Sequence, residues 1–330
     1  MLSFILKRLL ALIPILLLVS LLVTALIDLT PGDPVVIMLG ADATDEQIAI
    51  TRAELGLDKP FIVRWANYVW KVVKGDLGYS YMNGRSVTSD IVDRFGNTFK
   101  LAVIVVIASA LIGIPIGIFA ATKQYTWKDN AAMFVALFTV SMPAFWFALM
   151  LIRFFAVQLG WLPNYGIASW KGWVLPCAVL SFNFAATIAR QMRSNLLEVI
   201  RHDYVTTARS KGLPERTVIY KHGLKNAVIP VIQVIGGIFA TALSGAMITE
   251  VIFSIPGVGS YVLTGLRNRD YPVIQGCVIF FAALSVVVIL LTDIAFTFVD
   301  PRIRSQFSAK GKKLGGRKGR NEKEKEESPV

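Results

Sequence analysis

The sequence predicts an all-α membrane protein with six transmembrane helices and a small helical extracytoplasmic module between the first two. Three observations carry that prediction. Apolar residues make up 55% of the chain and charged residues only 17%, against about 25% charged in a soluble domain. Six windows are long, apolar and nearly free of charge: Leu9–Leu29, Leu101–Ala121, Ala131–Ile152, Trp173–Ala189, Ala227–Thr249 and Val273–Thr292. Each approaches the roughly 20 residues a helix needs to cross hydrocarbon, where the backbone must satisfy its own hydrogen bonds. Basic residues, finally, crowd into alternate connections between those windows.

In chain order, residues 1–29 hold the first span. Lys7 and Arg8 precede it as in a signal peptide, but no small-x-small cleavage site stands before Pro31, so an uncleaved helix is expected. Residues 30–97 read as the folded outer module. Thr44 with Gln47 suits a capping box for a helix toward Leu55, which Gly56 ends, and Pro60 is placed to start another through Lys74. Phe61, Trp65, Tyr68, Val69 and Val72 recur at helical spacing in that second helix. They predict one face packed over the embedded part, with docking of an extracytoplasmic partner as the sharper alternative.

Residues 98–300 hold the other five spans. The fourth window is short and carries Ser181, Asn183 and Thr187, yet without it the two most basic loops would fall on opposite sides. Residues 301–330 form a basic Lys-, Glu- and Gly-rich tail with no apolar period, expected to be disordered. The first and last three spans show no matching interrupted segments of the kind inverted-repeat transporters display.

Orientation follows from charge. The connection from Arg190 to Lys225 holds eight Lys/Arg and the tail after Pro301 holds ten, whereas the two short outer loops hold only Lys171, Arg267 and Arg269 besides Arg153 at the edge of the third window. That bias predicts both termini in the cytoplasm. The net charge of +12 therefore belongs to flanks facing anionic membrane lipid, and no nucleic-acid partner is expected. Cys177 and Cys277 lie inside spans without CxxC or CxxH neighbours, so neither a metal site nor a disulfide framework is indicated.

The connection 200–226 is too long for a simple link and reads as two short helices with a hinge. Asp203 is placed to cap the first, whose Tyr204, Thr207, Ala208 and Lys211 share one side. Gly212 is placed to end it in a left-handed turn, and Pro214 with Glu215 suits the opening turn of the second. Such a compact basic element is one that a cytoplasmic partner could grip.

The run Asp203-Tyr204…Thr207-Ala208…Lys211-Gly212, then His222…Leu224…Asn226-Ala227…Pro230, resembles the EAA loop of ATP-binding-cassette importer permeases. It is most similar to the dipeptide/oligopeptide/nickel branch. Flanking passages fit in the same order: PGDP at Pro31–Pro34, ELGLDKP at Glu54–Pro60, GDLGYS at Gly75–Ser80, IFSIPGVG at Ile252–Gly259, RDYPVIQG at Arg269–Gly276 and DPRIR at Asp300–Arg304. Thr206 and Thr207 replace the Glu and first Ala of the general pattern, and Lys225 replaces its Pro, which agrees with this branch.

The resemblance implies a type I importer permease fold in a bacterial inner membrane and a helix that seats in a cleft of a nucleotide-binding subunit. Ala208 and Gly212 would keep backbones close there, and Lys211 and Asn226 would hold the contact by polar bonds. A second permease subunit, two nucleotide-binding subunits carrying ATP and magnesium, and an extracytoplasmic solute-binding protein would complete the machine. The cargo it implies is a dipeptide or oligopeptide, with glutathione or a nickel chelate as alternatives.

No GxxxxGK[ST] phosphate loop, HExxH or GxSxG occurs in the chain, so neither ATP hydrolysis nor another catalytic role is expected of it, and no cofactor. Peptide amides are costly in hydrocarbon, so the path must be polar and wet. Ser141, Ser181, Asn183, Thr187, Gln233, Thr241, Ser244 and Glu250 are the candidates to line it, while Arg153 and Asp293 are the other ionisable groups at membrane depth. An ion-driven secondary transporter is the rival class.

Overall fold

The computed structural model describes residues 2–29, 33–40 and 43–299. The tail and the DPRIR run, and Pro31 and Gly32 of PGDP, lie outside the described residues.

Helix α1 (Leu2–Leu29) leads into three short helices, α2 (Pro34–Leu39), α3 (Asp45–Glu54) and α4 (Phe61–Val73). The long α5 (Val87–Thr122) follows, then α6 (Trp127–Ser141) and α7 (Ala144–Leu151), which runs on as a π-turn at Ile152–Gln158. Next come α8 (Lys171–Val199) and the separate α9 (Asp203–Ser210). A third continuous run joins α10 (Glu215–Thr217), a π-turn at Val218–Gly223 and α11 (Leu224–Gly245). The short α12 (Met247–Ile252) and α13 (Val258–Arg267) precede α14 (Tyr271–Val299). Thr44 and Gln47 form the expected capping box of α3, and Gly56 follows it at φ +67°.

Five helical runs are long and apolar enough to cross a bilayer, and α6 with α7 and its π-turn makes a sixth, bent by 101°. Contacts decide that this bent segment also crosses. Gly113 meets Ala185 and Gly117 meets Ala189, so α5 and α8 run parallel. The chain between them must therefore return across the membrane, and only residues 127–158 are available to do it. Asn195 on α8 bonds the Ala227 carbonyl, which sets α11 antiparallel to α8. Gln275 bonds Thr24, which sets α1 antiparallel to α14. Six crossings alternate, and both ends of the described chain leave on the same side.

Four spans depart from their sequence windows. Helix α5 begins at Val87, so the expected boundary between outer module and core at 97–98 falls inside one unbroken helix. The third span is interrupted at Met142–Pro143, where the proline has no N–H to give and the residue before it is extended at ψ 129°. Helix α8 reaches from Lys171 to Val199, longer than its weak window, and is the most buried span. The fifth span starts well before Ala227 and breaks at Ala246.

The α5–α8 contact centres the bundle. Ser109 and Ser181 lie between the helices, with Ser109 Oγ donating to the Val105 carbonyl at 2.6 Å and to the Ser181 carbonyl at 3.3 Å. Ser109, Gly113 and Gly117 form a small-xxx-small stripe that brings the backbones together. A Cβ on Gly113 would fall 2.5 Å from the Ala185 carbonyl oxygen. Gly113→Ala should therefore cost about 1–3 kcal/mol through overpacking. Thermal unfolding of the purified protein checks this, with Gly96→Ala as the control. That position lies on the same helix with open space around its Cβ, and should show no loss.

Motifs from the segment between α1 and α5 dock on the bundle end at which α5, α13 and α14 begin. Asp270 of the RDYPVIQG run is buried and accepts bonds from the Ser80 hydroxyl and, at 3.0 Å, from the Tyr81 N–H. Buried Asp90 accepts from the Tyr261 hydroxyl at 3.0 Å and pairs with Arg85. The connection 200–226 lies at the opposite end.

Candidate functional site

Helix α9 is fastened to the bundle at three points. Val205 and Ala208 turn inward and pack on Val218, forming a small apolar cluster of their own. Arg209 reaches Glu215 with two nitrogens, Nη2 to Oε1 at 2.7 Å and Nε to Oε2 at 3.0 Å, while its Nη1 donates to the Ile200 carbonyl at 3.3 Å. The carboxylate raises the guanidinium above its already high ordinary pKa, so the pair stays ionised. Asn226 Nδ2 donates to the Tyr204 hydroxyl at 2.8 Å, joining α9 to the start of α11. Between α9 and α10 stands Gly212 at φ +76°, the expected left-handed turn.

The two-helix reading of this loop needs three corrections. His202, not Asp203, occupies the N-cap position, and Asp203 is the first helical residue. The second short helix is no separate unit, because α10 flows through the π-turn into α11. His222, Leu224, Asn226 and Ala227 thus ride on the run that forms a span. Ala208 is buried against its own chain, so its small size serves the seating of α9. Tyr204, Thr207, Lys211 and Gly212 remain exposed, a surface beyond the sealed cluster. Sequence reasoning missed Val205, Val218 and Arg209, and with Arg209 the pairing that Glu215 makes. The Arg209–Glu215 spacing across Gly212 was the available signal.

Arg209 is partly exposed, so its ion pair contributes little to stability, about 1 kcal/mol at most. Its larger expected effect is positional. Arg209→Ala frees α9 from Ile200 and Glu215 together, and should speed amide hydrogen exchange across 203–210 while the unfolding temperature changes by only a few degrees. Parallel exchange and unfolding measurements check it.

The path candidates separate by exposure. On α11, Asn226, Pro230, Gln233, Gly237 and Thr241 form an exposed stripe at helical spacing. On α8, half-buried Asn183 and Thr187 continue into exposed Arg190, Ser194 and Glu198 in the same rhythm. Polar stripes of this length are costly against lipid, so they suit a wet path or another subunit. Ser244 is half-buried and donates to Ala240, while Ser141 is exposed at the break of α6 and donates to Leu137. Arg153 is exposed in the first π-turn.

Two candidates are corrected. Ser181 is sealed between α5 and α8, and Glu250 is fully buried. Its Oε1 accepts from Thr98 Oγ1 at 2.7 Å and its Oε2 from the Ser260 N–H at 2.8 Å. Both groups hold helices together and face no path in this subunit. The signal for Glu250 was the IPGVG run, whose glycines make room for its carboxyl group.

Comparison with known proteins adds to this geometry. Residues 113–305 match the family described as binding-protein-dependent transport system inner membrane component, and residues 1–102 match its N-terminal family. The glutathione transport system permease protein GsiC of Salmonella choleraesuis is 40% identical over 304 residues, covering 92% of this chain and 99% of the relative. GsiC of Escherichia coli K12 is 38% identical over the same length. An inward-facing structure of the MetNI methionine ABC transporter superposes with a TM-score of 0.56 at 16% identity, over 64% of this chain and 96% of that one. An amino acid ABC transporter gives a TM-score of 0.50 at 18% identity, over 65% of this chain and 94% of that one.

Proposed function

The chain belongs to the binding-protein-dependent inner-membrane components, the permease subunits of ATP-binding-cassette importers, and on that premise we propose that it forms half of a path for short peptides, with glutathione the first cargo to test. The movement that opens this path enters through residues 200–226. One observation carries the reading: α9 is locked to the start of α11 by Tyr204–Asn226 and by the Val205–Ala208–Val218 cluster. A push on the exposed Tyr204–Thr207–Lys211–Gly212 surface is thus delivered to the helix bearing the Gln233–Gly237–Thr241 stripe.

ATP and magnesium sit on two partner ATPase subunits, and this chain hydrolyses nothing itself. A second permease subunit supplies the other wall of the path, and an extracytoplasmic solute-binding protein delivers the cargo. Both termini are cytoplasmic, as the basic residues of the 190–225 connection favour.

Proteoliposomes holding the full importer test this. ATP with the binding protein should drive uptake of labelled glutathione or a dipeptide, and an imposed proton gradient without ATP should not. Gradient-driven uptake in the absence of ATP would transfer the chain to the ion-driven class. Gln233→Trp should block the path, lowering uptake while ATP hydrolysis continues. Equal uptake by that variant would remove the α11 stripe from the path.

A further inference from the structure

Helix α4 has three distinct faces. Phe61, Trp65, Tyr68, Val69 and Val72 are half-buried against the protein, as their spacing predicted. Asn67, Lys71 and Lys74 form a polar stripe. Between these two faces run Ile62, Ala66, Trp70 and Val73, an apolar stripe in which Ile62 is 61%, Trp70 62% and Val73 73% exposed.

Two bonds to α1 set the height of this helix. Trp65 Nε1 donates to Ser20 Oγ at 3.0 Å, and the neighbouring Arg64 pairs with Asp28. Ser20 lies roughly 13 Å along the helix axis from Leu29 at the usual rise per residue. That is close to the middle of a hydrocarbon layer about 30 Å thick, with Asp28 marking its edge. Tied at both levels, α4 lies beneath the edge, at the depth of about 5–10 Å typical of amphipathic interfacial helices. Leu18, Leu22, Leu26 and Leu29 of α1 are likewise exposed, as a helix facing lipid requires. Lys74 Nζ stands 4.9 Å from the centre of the Trp70 ring, a pairing suited to a membrane boundary.

We propose that α4 is embedded in the bilayer, its Ile62–Ala66–Trp70–Val73 stripe resting on the acyl chains of the leaflet at the Leu29 end of α1. The outer module then includes a lipid-anchored helix that braces α1 from the side. This requires only that α1 crosses the membrane, and holds for any cargo and any route of coupling.

Spin labels test it in the assembled importer, reconstituted into phosphatidylethanolamine and phosphatidylglycerol vesicles. Single cysteines are placed by I62C, W70C, V73C, N67C and K71C in a Cys177→Ala, Cys277→Ala background. Labels at 62, 70 and 73 should collide more with oxygen than with an aqueous nickel chelate, and labels at 67 and 71 should show the reverse. Nickel preference at 62, 70 and 73 would put the stripe in water, and shielding from both reagents would put a protein partner there. Either result overturns the proposal. On the unaltered protein, a lipid-phase carbene reagent should tag the 62–73 stretch as well as Leu18 and Leu22. Tagging of α1 alone would count equally against it.

Discussion

Gly212→Trp is expected to abolish ATP-driven uptake while the protein still reaches the membrane, and Gly212→Ala should retain much of it. Both replacements meet the same local difficulty, a left-handed backbone at φ +76°, which costs about 1–2 kcal/mol for a residue bearing Cβ. The Cβ that both introduce meets nothing in the chain, since no heavy atom lies within 4 Å of one built there, and the position is exposed, so a larger ring has room to turn outward. Any large difference between Ala and Trp must therefore come from something outside this subunit. A partner seated on the elbow makes that difference a loss of about tenfold or more, equivalent to at least about 1.4 kcal/mol of contact. The check is uptake per unit of membrane-inserted protein together with cargo-stimulated ATP hydrolysis. Equal activities for the two variants would free Gly212 from any contact role.

The second large effect lies at the other end of the bundle. Glu250→Ala should lower stability by about 2–5 kcal/mol, summing a cavity and stranded donors. The carboxyl group accepts from Thr98 of α5 and from the Ser260 N–H of α13, while Thr98 Oγ1 itself accepts from the Val258 N–H at 2.9 Å. Three helices thus converge on one fully buried side chain. Gly257→Ala should be as severe, since its Cβ would lie 2.4 Å from the Glu250 carboxyl carbon and both its oxygens. Glu250→Gln keeps the shape but turns a donor toward one of the two incoming hydrogens, and should fall between. Unfolding temperatures and membrane yield of the three variants decide the matter. Wild-type behaviour of Glu250→Ala would return this residue to the list of path groups.

Much of this architecture is legible in the residues, and the misreadings share a cause. Long apolar runs such as Leu9–Leu29 stand out because lipid contact demands them. Helix α8 was faint because it is the helix least in contact with lipid. Asn183, Ser181 and Thr187 are tolerated where α5 and α11 surround it, and the small-xxx-small stripe at Ser109, Gly113 and Gly117 was the overlooked sign of that enclosure. The bend at Pro143 was visible as a proline, but its angle depends on packing against α8. Gly212 was legible because a left-handed turn needs glycine locally. Packing of Ala208 under its own helix was hidden, because an alanine at a subunit contact and one under a short helix look alike in sequence. Glu250 was misread for a similar reason: a carboxyl group inside a span suggests a path until its partners, far away in the chain, are known.

Cross-linking from the elbow tests the central claim most directly. A cysteine at Lys211, exposed beside Gly212, should form a covalent link to a nucleotide-binding subunit in the assembled importer, with an efficiency that changes when ATP is bound, and should be shielded from impermeant reagents applied outside intact cells. Labelling of Lys211→Cys from the external side, or ATP-independent cargo transport by this chain with no ATPase subunit attached, would contradict it.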